Sequence, residues 1–388
     1  MKDGFRPPDA LPSLRGRVGD YSSPLGCWGG PVQEEIIRRT ALFAVAGLLA
    51  ACSHSSTSAT QSASFLAPAP GERHLRNIRQ LTTGGNNAEA YFSRSGKQLI
   101  FQRQEKVDSA CDQQYIMNID GSGMRRISNG LGRTTCGYFY DNDRRVLYSS
   151  TFKNSPACPP VPDKSHGYVW PIGHLEIFTS RPDGSDLKQL TDNGAYNAES
   201  TVSPDGSRII FTSTRDGDID LYTMKTDGTE VHRLTNRVGY DGGAFFSPDG
   251  KQIIWRAGYP VTAADTADYE GLLAQRLVRP GKVELWIANA DGSDPHQITH
   301  LGGANFAPFF HPDGKRIIFS SNYENPRSGK FDLFLINVDG SALEKVTTDT
   351  SFDSFPMFSP DGRRLVWASN RHGATEGETD LFIADWVE

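Results

Sequence analysis

From about residue 86 onward the chain repeats one hydrophobic rhythm. A short aromatic run gives way to a polar reversal, a second run alternates Ile, Leu, Val or Phe with polar residues, and a third ends in Asp-Gly. The clearest copy is "STVSPDGSRIIFTSTRDGDIDLYTMKTDGTEVHRLT", from Ser200. It is matched by "AFFSPDGKQIIWRAG" from Ala244, "PFFHPDGKRIIFSSN" from Pro308 and "PMFSPDGRRLVWASN" from Pro356, and more loosely by "AYFSRSGKQLIFQRQ" from Ala90 and "GYFYDNDRRVLYSST" from Gly137. Alternation with period two predicts half-buried strands. In Ser-Pro-Asp-Gly the proline presets φ and the glycine accepts a positive φ, so the chain reverses there. Asp-Gly marks the next hairpin, and a fourth short strand returns through Leu-Thr. Six copies of a four-stranded unit, each about 52 residues, predict an all-β fold: a six-bladed β-propeller of four-stranded antiparallel blades over residues 74–388.

The ends agree with a closed ring. The last copy stops at Glu388 after its third strand, and "HLRNIRQLT", His74 to Thr82, reads as a fourth strand lacking its own three. The N-terminal strand is therefore expected to complete the last blade.

Upstream the grammar changes. Arg38 and Arg39 precede an apolar run, Ala41 to Ala51, about half as long as a membrane span requires. A basic flank, a short apolar core and small residues at the cleavage point are the parts of an export signal, which places residues 1–51 in a signal region. Leu49-Ala-Ala-Cys52 resembles a bacterial lipobox, which implies lipidation of Cys52. Residues 1–31 fit no ordinary signal, and a start at Val32 would give one of normal length. Residues 52–73, dominated by Ser, Thr, Ala and Pro, read as a lipidated flexible tether.

Composition narrows the partners. A net charge of −6, with no basic run, argues against nucleic acid or an anionic bilayer as the main partner, leaving the lipid rather than surface charge to hold the protein at the membrane. Beyond the tether lie Cys111, Cys136 and Cys158. One disulfide plus one free thiol is the simplest outcome in an oxidising compartment, and the sequence does not choose the pair.

The repeats resemble the TolB-type PD40 propeller family, on the Ser-Pro-Asp-Gly and Asp-Gly…Leu-Thr motifs. The WD dipeptide of WD40 blades is missing. TolB itself carries an α/β domain ahead of its propeller, where this chain has about twenty residues between Cys52 and the first strand. The resemblance implies a cell-envelope protein with a role like that in the Tol-Pal system; TolB itself is soluble in the periplasm, whereas the lipobox leads to the expectation of a monomer anchored at the periplasmic face of the outer membrane. Ser53 after Cys52 is compatible with that sorting.

Propeller connectivity puts the strand-two to strand-three loops and the blade-to-blade connections on one face, here the loop face, and the Ser-Pro-Asp-Gly and Asp-Gly turns on the other, the turn face. Two insertions fall on the loop face: Lys153 to His174 in blade two and Tyr259 to Gly281 in blade four. The spacing of Tyr269, Leu272, Leu273, Arg276 and Leu277 predicts a short helix over the channel mouth. The residues before and within each first strand, Asn87 and Glu89, Asn197 and Glu199, Tyr240 and Asp241, Asn305 and Phe306, Phe352 and Asp353, are expected to ring that mouth, with Arg133 as the one basic member. Glu89, Arg133, Glu199, Tyr240, Asp241, Tyr269, Asn305 and Asp353 are thus the expected partner-binding set.

No GxSxG elbow and no phosphate-cradling GxxxxGK[ST] occurs. The expected role is a non-catalytic binding or scaffold module for an envelope protein, peptide or glycan, requiring no cofactor, metal or nucleic acid. The alternative is an enzyme acting on sugars at the channel mouth, resembling an oligogalacturonate lyase, which would draw on His166, His174, Glu199, Asp241 and Arg133. His311, which replaces the serine of one Ser-Pro-Asp-Gly turn, belongs to the turn face.

Overall fold

The computed structural model describes residues 65–107, 111–160 and 164–388. The signal region, Cys52 and the tether as far as residue 64 lie outside the described residues. The rest is a ring of six four-stranded antiparallel sheets. Their inner strands are Asn86–Phe92, Thr134–Tyr140, Asn197–Val202, Tyr240–Phe246, Asn305–Phe310 and Asp353–Phe358. Strand Leu75–Gln80 pairs antiparallel with Asp380–Trp386, Leu75 opposite Trp386, and completes the sixth blade as expected.

Residues 65–73, assigned by composition to the tether, already belong to the folded body. The Leu66 amide donates to the Ile78 carbonyl, and buried Glu72 pairs with Arg371, which also holds Asp353. Composition missed this because the segment is fixed by one leucine and one glutamate.

The alternating strands bury their apolar faces between blades. Phe101, Leu99 and Met117 of the first blade interlock with Val366, Leu381 and Ile383 of the sixth. Each such side chain contributes about 1.5–3 kcal/mol on burial. The Leu-Thr motif has a separate task. The hydroxyls of Thr82, Ser128, Thr191, Thr235, Thr299 and Thr347 each accept a backbone N–H from the third strand of their own blade, at Leu381, Gln114, Ile177, Leu221, Leu285 and Leu333. The fourth strand is only two residues long in five blades, and this bond extends its hold.

The two insertions meet on the loop face. Helix α1, Ala263–Ala274, begins at a capping box in which the Thr262 hydroxyl accepts the Asp265 amide while the Asp265 carboxylate accepts the Thr262 amide. It is shorter than the spacing predicts. Arg276 turns left-handed at φ 58°, and Leu277–Val278 pairs instead as a strand with Trp170–Pro171 of the blade-two insertion. A disulfide between Cys111 and Cys158, Cα atoms 5.5 Å apart, ties that insertion to the first blade and leaves Cys136 free.

Candidate functional site

Every inner strand breaks its register at one place, between Ala88 and Tyr91, Thr135 and Tyr138, Ala198 and Thr201, Gly242 and Phe245, Phe306 and Phe309, and Ser354 and Met357. The first residue of each bulge is left-handed: Glu89, Cys136, Glu199, Gly243, Ala307 and Phe355, with φ between 50° and 64°. Such a φ suits glycine and strains other residues. Only the fourth blade uses glycine. Three blades place Glu, Cys and Glu there, and two place Ala and Phe, so one half of this layer is polar and the other apolar.

The glycines of blade four make room for an arginine. A Cβ on Gly243 would lie 2.0 Å from Nη1 of Arg256, and one on Gly242 would lie 2.5 Å from both the Glu199 carboxylate and the Tyr240 hydroxyl. Into that space Arg256 extends from the second strand of blade four. Its guanidinium pairs with Glu199 and donates to the Tyr240 hydroxyl at 2.6 Å, while Thr212 donates to Glu199 at 2.9 Å. Its side chain is only 8% exposed, and its Nε has no acceptor. Burial works against the charge, but Glu199 and its neighbours hold the guanidinium above its ordinary pKa.

Among the described residues Glu89 has no such partner. Ring and lid enclose it although it keeps some surface toward the channel, and its hydrogen bond is with the Cys136 thiol. Burial, aided by Glu199 and opposed by Cys136 and Arg256, pushes its carboxyl up to about 7. Burial, then Glu89 and Glu199, push the Cys136 thiol well above its ordinary value.

Both ends of this layer are closed. Toward the turn face Tyr91 of blade one meets Phe245 of the opposite blade, ring centres 5.7 Å apart, and Tyr138 and Phe309 pack on the same phenyl ring. Toward the loop face the lid descends: Trp170 stacks 5.4 Å over Arg256, and Ile172 and Val278 pack with Phe306 and Ala307. The Tyr269 hydroxyl holds α1 down by donating to the Gly239 carbonyl at 2.7 Å. Under the lid edge, over blade three, remains a cavity of about 370 Å³ bordered by Tyr196, Arg215, Ile172, Leu273 and Arg276.

Of the expected set, the structure gathers Glu89, Glu199 and Tyr240 around the channel and puts Tyr269 in the lid. The others serve different ends. Asn305, like Asn87 and Asn197, donates to a carboxylate on the third strand of the preceding blade, here Glu284 at 3.0 Å, and so clamps one blade to the next. Asp241 accepts from Trp255 Nε1 at 2.7 Å and from the Tyr259 hydroxyl at 2.6 Å, and burial raises it to about 7. Asp353 accepts from Trp367 and Arg371, and burial raises it to about 6. Arg133 pairs with Asp112. The ring of mouth residues is thus mostly structural, because the inner strand turns these side chains sideways into the blades before the bulge turns the next one inward.

The set expected for sugar chemistry is not assembled either. His174 bonds the Gly194 carbonyl and Arg276, while Arg279 donates to the His166 carbonyl. His311 lies at the turn face against Phe358, 3.0 Å from Asp313. Cys136 and Arg256 were not among the expected residues. The Gly242-Gly243 pair, where other blades carry side chains, was the sequence signal for Arg256.

The sequence profile described as the TolB beta propeller domain, PD40, matches residues 155–262 and 272–376, more than half of the chain. A protein TolB homolog of Chlorobium luteolum is 26% identical over 156 residues, 40% of this chain, and the match spans 31% of that relative's length. Among solved structures, putative TolB from Agrobacterium tumefaciens superposes with a TM-score of 0.51 at 17% identity, covering 78% of this chain and 91% of that one. TolB from Acinetobacter baumannii gives 0.49 at 16% identity, covering 78% and 64%.

Proposed function

The chain belongs to the TolB β-propeller family, and from that premise we propose that it is a non-catalytic binding module of the cell envelope, recognising an envelope protein, peptide or glycan on its lidded loop face. The observation that carries this reading is that each of the two insertions exposes a large apolar side chain. Val261, at 89% exposure, and Tyr168, at 56%, stand on the two insertions, and Leu131 and Val238 stand on blade-to-blade connections of the same face. Insertions that expose apolar groups while their inner sides are committed to a packed lid suit partner contact. The closed channel supports the same choice, since a partner meets the lid's outer surface first. The TolB relatives support a periplasmic location, and the Cys52 lipobox supports attachment there at the outer membrane; no helix among the described residues is long and apolar enough to cross a membrane.

The test is photocrosslinking in living cells from residues placed at Tyr168 and Val261, with turn-face Asp249 as control. Discrete adducts from the first two positions only are expected. Equal adducts from Asp249, or none from any position in abundant, anchored protein, would refute the docking face.

A further inference from the structure

The outer edge of blade one, beside the outer strand of blade six, is basic against the negative charge of the whole chain, and its Arg125 also donates to the Pro182 carbonyl of blade two at 3.3 Å. A groove of about 660 Å³ there is bordered by Arg103, Lys106, Arg125 and Arg126. The one carboxylate on its border, Glu105, is engaged by the Tyr115 hydroxyl at 2.5 Å. Arg76 and Arg79 lie on the neighbouring outer strand, Leu75–Gln80. Among the described residues none of these six cations makes an ion pair with a carboxylate. Arginines elsewhere, such as Arg145, Arg208, Arg316 and Arg371, do.

Two further observations give this edge a direction. Tyr115 packs in the apolar layer that joins blade one to blade six, and Arg103 bonds Asn87 and the Thr83 carbonyl, so the groove adjoins the segment that leaves the outer strand of blade six. The chain enters the folded body along that same strand, where Leu66 bridges to Ile78, on the side that packs against blade five, where Thr348 donates to the Pro70 carbonyl. From Phe65 back to Cys52 there are roughly 13 residues, which reach at most about 45 Å when fully extended. A lipid on Cys52 would therefore keep the ring, this edge included, within reach of the bilayer.

We propose that the basic outer edge of blade one is a docking surface for a phosphate-bearing lipid bilayer, setting the ring on edge against the membrane. Guanidinium groups suit phosphate because their planar donors match its oxygens. The exposed thioether of Met124 beside the groove adds an apolar contact at headgroup depth. The inference uses the lipid anchor for its geometry but is independent of what docks on the loop face.

The experiment uses the full chain carrying Cys52→Ser, so that no lipid at that position contributes, in co-sedimentation with vesicles of phosphatidylcholine alone or containing about one-third phosphatidylglycerol. Binding to the anionic vesicles only, lost at high salt, is expected. Each surface cation is worth about fivefold in partitioning, so Arg125→Gln with Arg126→Gln should weaken binding about thirtyfold. The control pair Lys315→Gln with Arg363→Gln, on the turn face, should leave it unchanged. Both pairs are exposed, and an unaltered circular dichroism spectrum checks that the variants fold. Equal binding to neutral vesicles, equal loss in the control pair, or capture by soluble polygalacturonate without binding to vesicles would each overturn the proposal. Loop-face crosslinking at Val261 reads the other surface separately.

Discussion

Replacing Glu89 by Gln removes the one channel carboxylate among the described residues that lacks a cationic ion-pair partner, and burial gives the sign and the approximate size of the effect. Burial lifts this carboxyl from 4.5 to about 7, so the folded state holds its proton more tightly than the unfolded chain does. Such a group stabilises the fold fully below pH 4.5, and that contribution is lost as pH rises through about 7. The shift of about 2.5 units corresponds to about 3 kcal/mol at about 1.36 kcal/mol per unit. Glutamine keeps the shape and the hydrogen-bonding capacity beside Cys136 without ever becoming charged. The variant should match wild type near pH 4.5 and exceed it by about 3 kcal/mol at pH 8.5. Urea denaturation of both proteins across that range, analysed as a difference curve, measures this directly, and carbon-13 carboxyl shifts locate the titration itself. A stability difference that does not change with pH, or a Glu89→Gln variant weaker than wild type at pH 8.5, would refute the account of Glu89 as an uncompensated buried acid.

Other substitutions test the neighbouring parts. Arg256→Leu strands the Glu199 carboxylate in the channel and should cost about 3–5 kcal/mol, while the pair Arg256→Leu with Glu199→Leu should recover most of that loss in a double-mutant cycle. Opening the Cys111–Cys158 bridge, whose partners are 47 residues apart, should cost up to about 4 kcal/mol, measured by chemical denaturation of the Cys111→Ser with Cys158→Ser protein. Cys136, protonated and enclosed, should react with Ellman's reagent only as fast as the protein unfolds, and rapid labelling of the native state would show that the lid is open in solution.

The fold could be read from the sequence because it is written six times. Ser-Pro-Asp-Gly, Asp-Gly and Leu-Thr each perform a local task that depends only on near neighbours, and the unmatched strand at each end supplied the closure. The channel could be read only in part. Glu89, Glu199 and Tyr240 were found as residues near the start of inner strands, but Asn305, Asp241 and Asp353 looked the same and proved to be clamps within and between blades. What turns Glu89 and Glu199 inward is the bulge, which reverses side-chain direction by one residue and which no period-two pattern reports, while Tyr240 reaches the channel from one residue ahead of the clamp Asp241. Arg256 was hidden for a different reason: it starts on a second strand and reaches the centre only because Gly242 and Gly243 leave a gap. The bridge between the insertions was hidden too, since Trp170 and Val278 lie about a hundred residues apart with only two residues paired on each side.

The outer strand of the last blade has a consequence for force and for timing. Because Leu75–Gln80 is made first and its partner Asp380–Trp386 last, the ring cannot shut until the whole chain is available, and until then the faces that carry Phe101 and Val366 stand uncovered. The same strand is where any pull transmitted from Cys52 arrives. Tension would act first on the Leu66–Ile78 bridge and the Glu72–Arg371 pair, then peel the closing strand from Trp386 inward. The seam that completes the ring is also the first place that a load applied through Cys52 would open it.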